Sequence, residues 1–173
     1  MVNANILYPF GATFLDYPDN ISRAVIVYFM GCEHNCDGCH NPEFQISDYI
    51  KSKKVSINQF YNDLFEQCKR ENTNKVVFSG GDSLSPLNRD FTRLFLNKYG
   101  NLFNICIYTG YSIEQVKMMN IKGFKFIKVG KFEKEKMQEP CQSDNFMQLA
   151  STNQEIYNGN YALLTRNGVM NFK

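Results

Sequence analysis

The sequence predicts an α/β protein in which a curved, mostly parallel sheet forms a partial, open (β/α) barrel. Three observations carry this: strand and helix patterns alternate along the chain, glycine-bearing segments fall where strands end, and the length is too small to close a barrel. At 173 residues the chain matches one domain on the usual ~100–200 residues, so residues 1–173 are expected to form a single domain, whereas a complete eight-stranded barrel takes ~250. A hydrophobic content of 43% with 21% charged residues is ordinary for a globular chain and argues against disorder.

The first strand expected is Arg23–Met30, a nearly continuous apolar and β-branched run of the kind buried on both faces, ended by Gly31. From Ser56 to Asn72 apolar residues recur at Ile57, Phe60, Tyr61, Leu64, Phe65 and Cys68, the spacing of a helix with one buried stripe, and Ser56 suits its N-cap. Lys75–Ser79 reads as a short buried strand. Ser85-Pro86 then reads as an N-cap followed by a first-turn proline, opening a helix whose inner face is Leu87, Phe91, Leu94 and Phe95 and which Gly100 closes. Leu102–Tyr108 is the next strand, Ser112 with Gln115 forms a capping box for a short helix carrying Val116 and Met119, and Phe124–Val129 is a further strand. In the tail, Asn167-Gly168 between two alternating segments marks a hairpin within Tyr161–Phe172.

Nineteen basic against seventeen acidic residues leave a net charge of +2, too near balance to argue for a nucleic-acid or membrane partner. The longest apolar run, Ala24–Met30, is far short of the ~20 residues of a membrane span, and the first ten residues carry no basic segment of the export type. A soluble, cytoplasmic protein is expected.

Six cysteines divide unevenly: Cys32, Cys36 and Cys39 fall within eight residues, while Cys68, Cys106 and Cys141 stand alone. Such clustering favours a metal site in a reducing compartment over a secreted disulfide framework. The spacing Cys32-x3-Cys36-x2-Cys39 lets each thiolate reach a different iron of a cubane cluster, which leaves the fourth iron open to a small molecule. Glu33 and Asp37 add negative charge to this loop, a factor that makes a cluster a stronger reductant. On the loop alone the alternative is a closed zinc site of the three cysteines with His34 or His40. Cys68 on a helix stripe and Cys106 in a strand read as packing, and Cys141 has no partner visible in sequence. Lys131–Lys136, alternating with Glu133 and Glu135, reads as a solvated face.

The cysteine spacing resembles that of the radical S-adenosylmethionine (SAM) superfamily. Ser79-Gly80-Gly81-Asp82 is similar to that superfamily's Gly-Gly-Glu/Asp segment; glycine permits close backbone approach, and carbonyls or a carboxylate accept from an ammonium. From about Tyr8 to Gln154 the chain further resembles the anaerobic (class III) ribonucleotide reductase-activating proteins. The likeness rests on Cys32-x-His34-x-Cys36-x-Gly38-Cys39-His40-Asn41-Pro42, Tyr108-Thr109-Gly110-Tyr111, Gly130-Lys131-Phe132 and Ser151-Thr152-Asn153-Gln154.

The resemblance implies a 4Fe-4S cluster on Cys32, Cys36 and Cys39, with SAM held by Ser79, Gly80, Gly81, Asp82, Tyr108, Thr109 and Gly130. His40 stands where an aromatic residue commonly lies beside the adenine, or is a solvated loop histidine. It implies a radical SAM oxidoreductase: one electron splits SAM, and the 5′-deoxyadenosyl radical takes a hydrogen atom from a glycine of the anaerobic ribonucleotide reductase. A one-electron donor protein such as a flavodoxin would supply the electron, and no side chain is assigned a catalytic role of its own. The chain departs from the family at Asn20-Ile21-Ser22, where Gly-Pro-Gly is frequent, at Ser83, and at Lys125 and Val129, where aspartates are common. A chain this short shows no surplus segment for a lid, so the partner's glycine loop is expected to complete the enclosure. Other readings are a different glycyl-radical activase, 7-carboxy-7-deazaguanine synthase, a zinc-binding interaction module and an electron-transfer ferredoxin.

Overall fold

The computed structural model describes residues 2–19, 22–139, 141 and 145–172; of the stretch 20–22 that departs from the family, only Ser22 lies among them. In chain order the elements are β1 (Asn3–Leu7), β2 (Gly11–Thr13), β3 (Ala24–Phe29), β4 (Ser52–Ser56), α1 (Ile57–Arg70), β5 (Lys75–Gly80) and α2 (Arg89–Tyr99). They continue as β6 (Asn104–Tyr108), α3 (Ile113–Met118), β7 (Phe126–Val129), β8 (Phe146–Gln148), β9 (Glu155–Asn158) and β10 (Val169–Asn171).

The main sheet runs β4-β1-β3-β5-β6-β7-β9, with β2 also pairing β3. Its centre, β3-β5-β6-β7, is parallel, as the alternation of strands and helices requires, and β1, β2, β4 and β9 join antiparallel. The ends β4 and β9 do not meet, so the sheet is open.

Parallel register sorts the side chains. Val25, Val27, Phe29, Val76, Phe78, Ile105, Ile107, Ile127 and Val129 share one face with Phe60 and Leu64 of α1, Phe91 and Phe95 of α2, and Ile113 and Val116 of α3. The intervening residues Ala24, Ile26, Val77 and Cys106 form a second, smaller cluster with Tyr17 on the opposite face, joined there by Tyr28, Tyr108 and Phe126. This is why the parallel strands read as continuous apolar runs: both faces are covered at their lower ends.

Ser56 caps α1 by accepting from Gln59 N at 3.3 Å, and Ser112 with Gln115 completes the capping box of α3. Phe65 falls off the buried stripe of α1 at 47% exposure, leaving Phe60, Leu64 and Cys68 inside.

The second helix corrects the sequence reading. It begins at Arg89 rather than after Ser85, and the buried residues are Phe91, Thr92, Phe95 and Leu96, while Leu87 and Leu94 are 54% and 44% exposed. The cause is Asn88, whose side chain is drawn away from helix capping to donate to Met30 O at 2.8 Å and Asp82 O at 3.0 Å. Phe91 and Phe95 of the expected stripe stay in the core, whereas Leu87, ahead of the helix, and Leu94 face outward.

The tail turns at Asn167-Gly168 as expected, both at positive φ, with Arg166 and Val169 exchanging backbone bonds. Its second arm, however, leaves the main sheet: β10 pairs β8 in a separate two-stranded ribbon. Cys68 and Cys106 are buried, as read. Among the described residues no helix is long and apolar enough to cross a membrane.

Candidate metal and cofactor site

A cavity of about 690 Å³ opens at the carboxyl ends of β3, β5, β6 and β7. Cys32, Cys36 and Cys39 line it, together with Ser79 and Gly80 at the end of β5 and Gly81 just after it, Thr109 and Gly110 after β6, and Gly130 after β7. Strand ends in parallel sheets collect such residues because each crossover connection leaves from there.

The cysteine loop is tied at both ends. Gly31 N donates to Phe44 O at 2.8 Å and Cys32 N to Gln45 O at 3.1 Å, while Cys39 N closes a turn on Cys36 O at 3.2 Å. Gly81 must be glycine, since a Cβ there would lie 2.5 Å from Phe44 O and 2.6 Å from Gly31 O. The loop and the Ser79–Gly81 segment are thus pressed together backbone to backbone.

Burial pushes the Cys32 thiol up to about 11, with Asp82, Cys36 and Cys39 adding to the rise and the His34 backbone N–H offsetting part of it. A metal would convert such thiols to thiolates and release their protons. Among the described residues no three His, Cys, Asp or Glu groups converge tightly enough for one metal ion. Three soft sulfur donors on one loop suit iron–sulfur ligation, and a cubane asks for wider spacing because each thiolate meets a different iron.

Other expected site residues divide. Ser79, Gly80, Gly81, Tyr108, Thr109, Gly130 and His40 all border the cavity. His40 is exposed and lies 5.8 Å from the ring of Phe132. Tyr108 is pinned, donating to Asp16 O at 2.6 Å. Gly130 receives Gln154 Nε2 on its carbonyl at 3.2 Å, while Asn153 Nδ2 reaches Lys131 O at 2.9 Å, so the Ser-x-Asn-Gln segment buckles down the end of β7. Asp82 alone of the set does not border the cavity.

Lys128 is a cavity residue the sequence reading passed over. It sits opposite Tyr108 in the parallel register, its Nζ 5.1 Å over the Tyr108 ring, and burial lowers its pKa to about 8 against the pull of Asp82, Cys106, Cys36 and Asp16. The signal was alternation: a lysine between buried Ile127 and Val129 must face the other way. The expectation that no segment covers the opening is also corrected. Phe146, Met147 and Leu149 of the β8 region and Phe172 after β10 wall the cavity, so the chain supplies part of the enclosure itself. Cys141 stands on the same wall, exposed.

An open α/β sheet with a cysteine-loaded cavity at its strand ends defines a metal-cluster protein, and the chain belongs to the family of 4Fe-4S single cluster domains, matched over residues 22–157. Two relatives are more particular. The chain is 24% identical over 139 residues to the anaerobic ribonucleoside-triphosphate reductase-activating protein of Enterobacteria phage T4, covering 77% of this chain and 83% of that protein. It is 29% identical over 117 residues to the protein of the same name from Haemophilus influenzae, covering 63% of this chain and 74% of that one. These relatives agree with the resemblance read from the motifs.

Proposed function

We propose that the chain is a radical SAM activating enzyme that installs a glycyl radical on an anaerobic ribonucleotide reductase. The observation that carries it is the shared cavity, in which three thiols of one loop face the backbone edge Ser79–Gly81 at the ends of parallel strands. On this reading the parallel strands are the core of a partial (β/α) barrel of the radical SAM type.

Cys32, Cys36 and Cys39 hold the 4Fe-4S cluster. When bound, cluster and SAM supply a one-electron cleavage and a hydrogen-atom abstraction that no side chain here can perform. The chain's residues bind, orient and shield. Carbonyls of the Ser79–Gly81 edge would accept from the ligand's ammonium, and Lys128, which lines the same cavity, would donate to one of its acceptor groups. Exposed Phe14 and Leu15 line the same cavity as Phe146 and Met147, and these apolar side chains keep water from the reacting centre and receive the reductase's glycine loop. A one-electron donor protein such as a flavodoxin reduces the cluster in a cytoplasmic setting.

A second reading is favoured by one observation, the presence of Cys141 on the cavity wall. A fourth thiolate there would close the cluster and make the chain an electron carrier.

Electron paramagnetic resonance on the reconstituted protein tests both. With SAM, reductant and the reductase, a glycine-centred doublet should form, vanish in Cys36→Ala and persist in Cys141→Ser. About four iron and four sulfide per chain are expected. A single zinc, or a cluster signal unmoved by SAM until Cys141 is replaced, would overturn the activase reading.

A further inference from the structure

The motif resemblance makes Asp82 an acceptor for a ligand's ammonium, but every strong donor it meets belongs to the chain itself. Its Oδ1 accepts from Leu84 N at 2.7 Å. Its Oδ2 accepts from Thr109 Oγ1 at 2.8 Å and Gly110 N at 3.0 Å, and pairs with His34 Nε2 at 2.8 Å. Asp82 is 1% exposed and does not border the cavity, so its carboxylate is turned into the chain rather than toward the ligand space.

His34 is the one of these partners that lies on the cysteine loop, between Cys32 and Cys36. Its side chain is 6% exposed, and its ring stands edge-on to Tyr111 with centroids 4.6 Å apart. A Cβ on Gly110 would overlap that ring, so the Thr109-Gly110 turn is shaped to seat it. The neighbouring loop residue, Glu33, is bonded by the Tyr111 hydroxyl, which Arg89 Nη2 also reaches at 3.3 Å. Two successive loop residues are therefore gripped by the segment after β6, and the buried charge of Asp82 joins that grip to the end of β5.

We propose that Asp82 is a positioning residue: through His34 it fixes the loop bearing Cys32 and Cys36 against the ends of β5 and β6, and so sets where those thiolates stand, without touching a ligand. This rests on the reading that the loop holds the cluster. The Thr109-Gly110-Tyr111 segment acquires the same role, as a cradle for the loop.

Amide hydrogen exchange and the cluster's midpoint potential, measured on the reconstituted full chain, test the proposal. In Asp82→Ala the amides of residues 33–38 and of Gly110 should exchange at least about tenfold faster, the effect of losing one buried charged partner. His34→Ala should reproduce the change, whereas His34→Gln, which keeps a donor, should restore much of the protection. The potential should shift in both alanine variants and return toward the wild-type value in His34→Gln. SAM and an analogue lacking the amino group should lose affinity equally in Asp82→Asn. Wild-type exchange in Asp82→Ala and His34→Ala, or a loss confined to SAM with the deaminated analogue unaffected, would overturn the role. If Asp82→Ala does not fold, His34→Ala and Thr109→Val carry the same comparison. A wild-type chain that takes up no iron would sink the cluster reading instead, and exchange in the metal-free chain would then decide the anchoring alone.

Discussion

On the helix-covered face of the sheet, Phe60 meets the rings of Phe29, Phe78, Phe91 and Phe95 with centroids 4.8–6.1 Å apart, and all five are fully buried. On the opposite face of the same strands, alternating with those residues, Tyr28, Ser79, Tyr108 and Lys128 border a cavity. Beneath them Ile26, Val77, Cys106 and Phe126 close the bottom with an apolar layer. A strand's period of two lets one segment serve both ends: stability is drawn from one set of side chains, and the other set is released to carry polar groups that a core would reject.

The largest effect should come from the packed face. Phe60→Ala is expected to cost about 3–5 kcal/mol in chemical denaturation, because the ring cluster cannot collapse around the hole. A loss under about 1 kcal/mol would mean the two faces are not so unequal.

Lys128 offers the reverse test on the cavity face. Its folded pKa is lowered from 10.5 to about 8, so between those values the unfolded chain binds the extra proton and stability rises with pH. Below pH 8 the full penalty of the buried ammonium is present. Lys128→Met should therefore stabilise the metal-free chain at pH 7 by about 1–3 kcal/mol, and the rise in stability between pH 8 and 10.5 should be absent from the variant. A variant no more stable than wild type at pH 7 would show that the cavity face carries no such strain.

The smallest effect is expected where the two faces are both left behind. Leu94 points outward from α2, so Leu94→Ala should change thermal stability by no more than about 0.5 kcal/mol, while Phe91→Ala on the inner side loses several. Equal losses would restore the helix face first expected from the sequence.

Periodicity made the centre of the fold legible. The parallel strands announced themselves as short apolar runs, and α1 and α3 by a stripe and a serine cap. The flanking strands did not: β2 is three residues long, and β4, SKKVS, buries only Val55. Such strands exist because a neighbour offers backbone partners, which no local pattern records. In the site, the cysteine loop and the glycine segments were legible because their chemistry is local in sequence. Asp82 was legible as a motif residue but not in its contacts, since Thr109, Gly110 and His34 lie 27, 28 and 48 positions away.

The sequence by itself determined the order of the central strands and helices, the cysteine trio and the small residues that let backbones touch, because side-chain period, sulfur chemistry and the missing Cβ act over a few residues. Only the tertiary structure decided where α2 begins, which strands flank the parallel core, that Lys128 enters the cavity and that Asp82 faces the chain itself. These depend on which distant groups arrive to satisfy a buried donor, acceptor or charge, and burial makes an unmet one too costly for the chain to settle otherwise.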